Sequence, residues 1–349
     1  MIPSSETRLQ APADWTPPAD FRERFPWIGG DLQTLRNTLF NRLGGEHADL
    51  SPWPARRVST AMTDGSGDRL CAELHVGNRA DDRPLSILIH GLTGCADSGY
   101  MRNSSRALLE DGGAVLRLNL RGAGPLAGDS RFHYHAGRSE DLRDFLGGLM
   151  AAEPGLCAGG FHLAGYSLGA NMMLKFLAEY GADFPIVAAV SVSAPLDLKA
   201  TQERMMAPRN RFYHHYLLHR MKAETSAGVL EAAGMTGADL QGLQWIYDYD
   251  ERIVAAANGF ASADDYYRRC SAGPFLERIA IPTLLIHARN DPWIPASIYD
   301  AAQAQTNRLV KVVLSPEGGH VGFHGRGGRT AWHDLCLMSF FQRHPERTL

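Results

Sequence analysis

Apolar positions along this chain fall into two spacings. Short unbroken apolar runs, about four to eight residues long, read as strands buried on both faces. Such runs occur in LSILIHG (85–91), AVLRLNLRG (114–122), FHLAGY (161–166), IVAAVSVSAP (186–195), IPTLLIHARND (281–291) and LVKVVLSPEGGH (309–320). Between them, apolar residues recur every three or four positions, the spacing of one helix face. In SEDLRDFLGGLM (139–150) they are Leu142, Phe145, Leu146 and Leu149. SGYMRNSSRALLEDGG (98–113), GANMMLKFLAEYG (169–181) and TAWHDLCLMSFFQRH (330–344) are read in the same way. RRVSTAMT and RLCAELHV flank DGSGD, whose glycines suit a hairpin turn.

Strands alternating with helices predict right-handed crossovers and a mostly parallel sheet covered on both faces, an α/β fold. The alternation stops between about residues 197 and 270, where helical spacing rich in Met, Tyr and Arg replaces it. We expect an N-terminal arm over 1–56, with a helix near DLQTLRNTLF, packing on the body. The core is expected over 57–196 and 271–349, with a helical cap over 197–270.

Composition narrows the function. The 349 residues are 44% hydrophobic and 21% charged, with a formal net charge of −3. A dedicated nucleic-acid binder needs a basic excess or face, so no nucleic-acid partner is expected. The five cysteines are scattered and form no CxxC pair, which predicts neither a disulfide framework nor a structural zinc site. The start MIPSSETRLQAPADW lacks a basic head with an apolar stretch, and no run of about 18 apolar residues occurs. A soluble cytoplasmic protein is the expectation; oligomeric state is not readable.

The candidate chemistry centres on Gly165-Tyr166-Ser167-Leu168-Gly169, between a predicted strand and helix. Glycines two residues to either side permit a sharp bend that lifts a serine out of the sheet edge. A serine needs a neighbouring base, itself oriented by a third group. Asp291 follows the next-to-last predicted strand and His320 the last, so both fall at the carboxyl edge of the sheet with Ser167. Nucleophile, acid, base is also the chain order of hydrolases built around this kind of elbow. The N–H groups of Leu168 and of Leu92, in LIHGLTG, are the candidate oxyanion donors, each worth about 3 kcal/mol of barrier. His90 is read as a core histidine.

These residues resemble the α/β-hydrolase superfamily and, within it, the YheT-like esterase branch related to the animal ABHD hydrolases. The resemblance runs from about Phe25 to the end. It rests on Gly30-Asp31-Leu32-Gln33-Thr34, HGLTGCADSGYMR, NLRGAG, FHYHAGRSEDL, GYSLGAN and GFASADDYYRRCS. It implies an α/β-hydrolase fold with a cap, and Ser167, Asp291 and His320 as nucleophile, acid and base. Asp31 replaces a family histidine and Ala123 a family cysteine; the first change leaves the role of the N-terminal motif open.

Competing signals carry less. His324 competes with His320, which directly follows the strand-end glycines. Asp248, Asp250 and Asp300 compete with Asp291, but the first two fall in the predicted cap and Asp300 in a helix. His215 and His219, four apart, and His133 and His135, two apart, lack further ligands, so no metal is expected. Thr93, Tyr166, Tyr213 and Leu217 are the candidate substrate contacts, with Met221 on the same face as the last two. RNRFYHHYLLHRMK is basic and aromatic; packing and pocket lining are favoured for it over contact with a membrane surface. The resulting expectation is a cofactor-free serine carboxylesterase acting on short- to medium-chain acyl esters. A lipase, phospholipase or acyltransferase of the same fold is the alternative, and a catalytically silent binding protein the second.

Overall fold

The apolar runs form one eight-stranded sheet in a computed structural model that describes residues 12–42, 48–78 and 83–345. Residues 1–11 of the expected arm lie outside the described residues. The strands are β1 (Arg56–Ala61), β2 (Arg69–Val76), β3 (Leu85–Ile89), β4 (Ala114–Asn119), β5 (Phe161–Tyr166), β6 (Ile186–Val192), β7 (Thr283–Ala288) and β8 (Val310–Ser315). Their order is β1-β2-β4-β3-β5-β6-β7-β8. β1 with β2 and β2 with β4 are antiparallel, and every pairing from β4 to β8 is parallel. All residues of β3 through β7 are buried, which is why those runs are unbroken. β1, at the edge, keeps exposed positions.

Helices cover both faces. α1 (Gly30–Arg42) belongs to the N-terminal arm. α2 (Gly99–Glu110), α3 (Ser139–Ala152) and α4 (Leu168–Glu179) cross between strands. α2 ends where Gly112 takes φ +94°, the glycine stop the sequence implies. In β5, Phe161 and Leu163 enter one apolar core with α3 and α4. Ala164 and Tyr166 enter the other with α2 and the C-terminal helix. The arm is anchored by Trp15, edge-on to Phe340.

Between β6 and β7 the described chain forms helices and no strand. These are α5 (Leu198–Met206), α6 (Arg211–Glu224), α7 (Ala227–Ala232), α8 (Gly237–Gly242), α9 (Ile246–Tyr249) and α10 (Ala263–Cys270), with a π-helical turn at Asp250–Ala255. α5 to α9 and this turn share a core of Met205, Tyr213, Leu217, Met221, Ile246 and neighbours, against which Leu92 and Trp293, from the loops after β3 and β7, pack; α10 enters a separate cluster with Leu198 and Ala136. α11 (Ala296–Gln303) and α12 (Trp332–Arg343) complete the chain.

Two of the quoted sequence motifs meet in one buried ion cluster. Arg121, in NLRGAG, is 1% exposed and reaches Asp141, the aspartate of FHYHAGRSEDL, through Nε at 3.0 Å and Nη2 at 2.5 Å. Its Nη1 reaches Asp64 at 2.6 Å and Asp68 at 3.3 Å, in the β1–β2 turn. Removing the cation takes the main charge partner from the buried Asp68 and Asp141, of which Asp141 keeps Arg138 at 3.2 Å. Arg121→Met is therefore expected to cost about 3–5 kcal/mol of unfolding free energy. Urea denaturation checks this, and a loss below about 1 kcal/mol would contradict it.

Candidate active site

The bend after β5 is tight enough that only glycine fits around it. A Cβ at Gly165 would lie 2.6 Å from Ala170 Cα, and one at Gly169 would lie 2.1 Å from the His90 carbonyl oxygen. Ser167, between them, takes φ +52°, outside the ordinary regions for an L-residue. Among the described residues, the non-glycine residues with positive φ are Thr93, Ser167, Ser193, Val321 and Phe323. All follow the carboxyl ends of β3, β5, β6 or β8, so backbone strain gathers at one sheet edge.

Asp291 lies three residues past β7 and His320 five past β8. The Ser167 hydroxyl donates to His320 Nε2 at 2.9 Å, and His320 Nδ1–H donates to Asp291 Oδ2 at 2.8 Å. The carboxylate partner assigns the proton to Nδ1 and leaves Nε2 to accept. Asp291 Oδ1 is held separately by the N–H groups of Trp293 (2.7 Å) and Ile294 (3.0 Å). Burial raises the Asp291 carboxyl, but the His320 imidazole, by charge and hydrogen bond, outweighs it and holds the group below its usual value. His287, stacked on Tyr299, lies 3.8 Å from the same carboxylate. Burial lowers His287 to about 4, so it stays neutral and does not compete for the charge.

The N-terminal motif supports this loop, a role its sequence did not reveal. The His320 N–H donates to Thr34 Oγ1 at 2.8 Å. Gln33 Oε1 accepts from the His324 N–H at 2.7 Å, and its Nε2 donates to the Trp27 carbonyl at 2.6 Å. A Cβ on Gly30 would lie 1.9 Å from the Asn290 carbonyl oxygen, next to Asp291. Asp31, the departure from the family pattern, accepts from Tyr213 OH and Arg209 Nη2, both at 3.0 Å, tying α1 to the start of α6.

The loop after β3 is fixed from three sides. The Gly91 N–H donates to the Tyr100 hydroxyl at 2.9 Å. The Thr93 N–H donates to the Tyr134 hydroxyl at 2.6 Å, and Arg220 Nη2, from α6, donates to the Thr93 carbonyl at 2.7 Å. Among the described residues, the N–H groups of Leu92 and Leu168 have no acceptor. Leu168 opens α4, where an unspent N–H and the helix dipole favour a negative ligand. His90, fully buried, is spent on the Gly91 carbonyl and the Leu120 N–H, and burial lowers it to about 4.

The candidate substrate contacts divide. Leu217, with Met221, lines a cavity of about 1120 Å³, counted out to its mouth, that also contains Ser167, His320, Leu92 and Leu168. Tyr166 is a correction. Strand alternation turns it to the opposite sheet face, where its hydroxyl donates to Ser104 at 2.6 Å. Thr93 stands beside the cavity with its backbone groups engaged, and Tyr213 packs edge-on to Trp293 with its hydroxyl on Asp31; neither lines the cavity. His324 faces Arg36 rather than Ser167. Asp300 pairs with Arg289, and Asp248 accepts from the Trp245 N–H. His215 and His219 lie on an exposed helix face, and no cluster of three or more metal-capable side chains occurs among the described residues.

Asp250 is buried in the cavity wall, and burial pushes its carboxyl up to about 7 against the opposing hydrogen bond from Tyr267. A carboxyl raised on folding stabilises the fold below its unfolded pKa and loses that contribution as pH rises through the folded one. Between about pH 4 and pH 7 this group is expected to withdraw up to about 4 kcal/mol. Urea unfolding of the native protein and of Asp250→Asn isolates it. The native unfolding free energy should fall relative to that of the variant across that window, and a constant difference would contradict the placement.

Residues 87–331 match the model of the alpha/beta hydrolase family. With the sheet order and elbow above, the chain belongs to that family. Escherichia coli (strain K12) YheT is 37% identical over 253 residues, covering 71% of this chain and 72% of that one, and the chain is a member of the YheT-like esterase branch. Mouse phospholipase ABHD3 is 28% identical over 249 residues, 70% of this chain and 59% of that protein. The solved Pyrococcus furiosus esterase Pf2001 superposes with TM-score 0.56 at 19% identity, over 84% of this chain and 92% of that chain, which shows a shared fold. No helix among the described residues is long and apolar enough to cross a membrane.

Proposed function

We propose that the protein is a serine carboxylesterase that cleaves short- to medium-chain acyl esters through an acyl-serine intermediate. The observation that carries this reading is the Ser167–His320–Asp291 relay, 2.9 Å and 2.8 Å long, in the wall of a largely apolar cavity. Ser167 attacks the ester carbonyl while His320 Nε2 takes its proton. Asp291 holds the imidazolium that forms. The N–H groups of Leu92 and Leu168 receive the oxyanion. The proton passes to the leaving alcohol, and a water deprotonated by His320 then releases the acid. Turnover of p-nitrophenyl esters from acetate to palmitate, with the free acid identified as product, tests the reading. Rates should peak at short to medium chains, and absence of turnover on every ester would contradict it. The mouse relative's name makes a phospholipid the alternative substrate, for which phosphatidylcholine belongs in the panel.

The oxyanion loop gives a second check. Arg220 and Tyr134 hold the peptide groups of Thr93, the residue after the Leu92 donor, at φ +56°. Arg220→Ala is expected to lower kcat about tenfold with KM within about twofold, since a misplaced donor weakens the transition state more than the substrate complex. Arg220→Lys should recover part of the loss. A change confined to KM would contradict the positioning role.

A further inference from the structure

An acyl pocket that held only alkyl chain would have no use for carboxyl groups, yet two line this cavity: Glu224, which pairs with Arg220 at 3.2 Å, and Asp250. Asp250 opens the π-helical turn and is 8% exposed. Its Oδ2 accepts from the Tyr267 hydroxyl at 2.6 Å. No donor among the described residues meets Oδ1, and that oxygen is not among the buried atoms sealed away from contact. It is therefore accessible, on a residue that lines the cavity. No Arg or Lys among the described residues pairs with it, so the group is not half of an internal ion pair. Burial pushes it up to about 7, which leaves a large share as neutral acid at neutral pH, able both to donate and to accept.

The nearby polar wall residues have internal partners: Asn258 bonds Arg138 and the Val254 carbonyl, and the Tyr249 hydroxyl bonds Thr225. Ile253 and Val254, in the same turn, face the cavity too. An alkyl group lodged here would strip water from the carboxyl oxygen and give nothing back. π-Helical turns interrupt the regular ladder and recur at functional sites. Tyr266 and Tyr267 belong to the apolar cluster against which Leu168, the neighbour of Ser167, packs, and Ser167 and Asp250 line the same cavity.

We propose that Asp250, oriented by Tyr267, forms a subsite that reads a hydroxyl group on the ester, so that the preferred substrates are hydroxyl-bearing esters rather than plain alkyl ones. The hydroxyl sits on the alcohol half, as in a glyceryl ester, or on the acyl chain. This names the substrate class of the serine-esterase reading and rests on it. The pair Asp250 and Tyr267 is a specificity determinant and takes no part in bond making.

The test reads binding without turnover. Isothermal titration of the Ser167→Ala protein compares three non-hydrolysable ethers: hexyl propyl ether, hexyl glyceryl ether and ω-hydroxyhexyl propyl ether. One of the hydroxyl-bearing ethers should bind about tenfold more tightly than the plain one, and which one assigns the hydroxyl to its half. Adding Asp250→Leu should reduce that ratio to about one. Asp250→Asn, which keeps an acceptor for Tyr267 and a donor for the ligand, should retain part of it. Tyr267→Phe should lower it by freeing the carboxyl to turn. The proposal is overturned if neither hydroxyl raises affinity in the parent protein. It is overturned equally if the ratio survives Asp250→Leu or, should that variant not fold, if it survives Tyr267→Phe. Failure of the esterase reading shows separately, as no turnover of any ester by the unmodified protein.

Discussion

Ser167→Ala is expected to lower kcat/KM on a short p-nitrophenyl ester by about 10⁵–10⁶-fold, with the fold intact. The loss is large because the hydroxyl has no substitute. His320 Nε2 faces Ser167, and its other nitrogen is committed to Asp291. The residual rate is that of a positioned water and the two amide donors. Stability should hardly change. The Ser167 backbone makes the structural bonds, with its N–H on the Val192 carbonyl and its own carbonyl accepting from Ala170 and Asn171. Circular dichroism and urea unfolding beside the rate measurement separate lost chemistry from lost fold. Turnover within about tenfold of the native rate would remove Ser167 from the mechanism.

Asp291→Asn is expected to cost about 10⁴-fold in kcat, again with the shape preserved. The reason lies in which oxygen is held. Oδ1 accepts two backbone N–H bonds, so the amide oxygen of Asn takes that place and its NH₂ turns toward His320. An NH₂ facing Nδ1 demands an acceptor there. The proton moves to Nε2, where it confronts the Ser167 hydroxyl and leaves no base to receive its proton. An Asn also cannot stabilise the imidazolium that forms as the Ser167 proton is taken. A loss smaller than about tenfold would mean that the carboxylate neither selects the tautomer nor stabilises the cation.

Much of the sheet was legible because β3 to β7 are buried on both faces, and that burial writes itself as unbroken apolar runs. The elbow was legible because steric need at Gly165 and Gly169 leaves only one residue type. Asp291 and His320 stood out because both follow strands at the same edge. What the sequence hid were contacts between distant segments. Thr34 under His320, Tyr134 and Arg220 about Thr93, and Arg121 on Asp141 are ordinary polar residues whose partners lie far along the chain. Their motifs were visible, but not what each motif held. Tyr166 was misplaced because its neighbour Ser167 is exposed to the cavity, while the strand's alternation sends the tyrosine to the other face. Tyr213 was assigned to the pocket from its helical phase with Leu217, yet Asp31 draws its hydroxyl outward to α1.

The central claim is that the Ser167 oxygen is a nucleophile made reactive by His320. Incubation with a fluorophosphonate probe, followed by proteolysis and mass mapping, tests it most directly. The account predicts one adduct, on the peptide carrying Ser167, with labelling abolished in Ser167→Ala and slowed at least about a hundredfold in His320→Ala. An unlabelled protein, or an adduct on another residue at comparable rate, would contradict it.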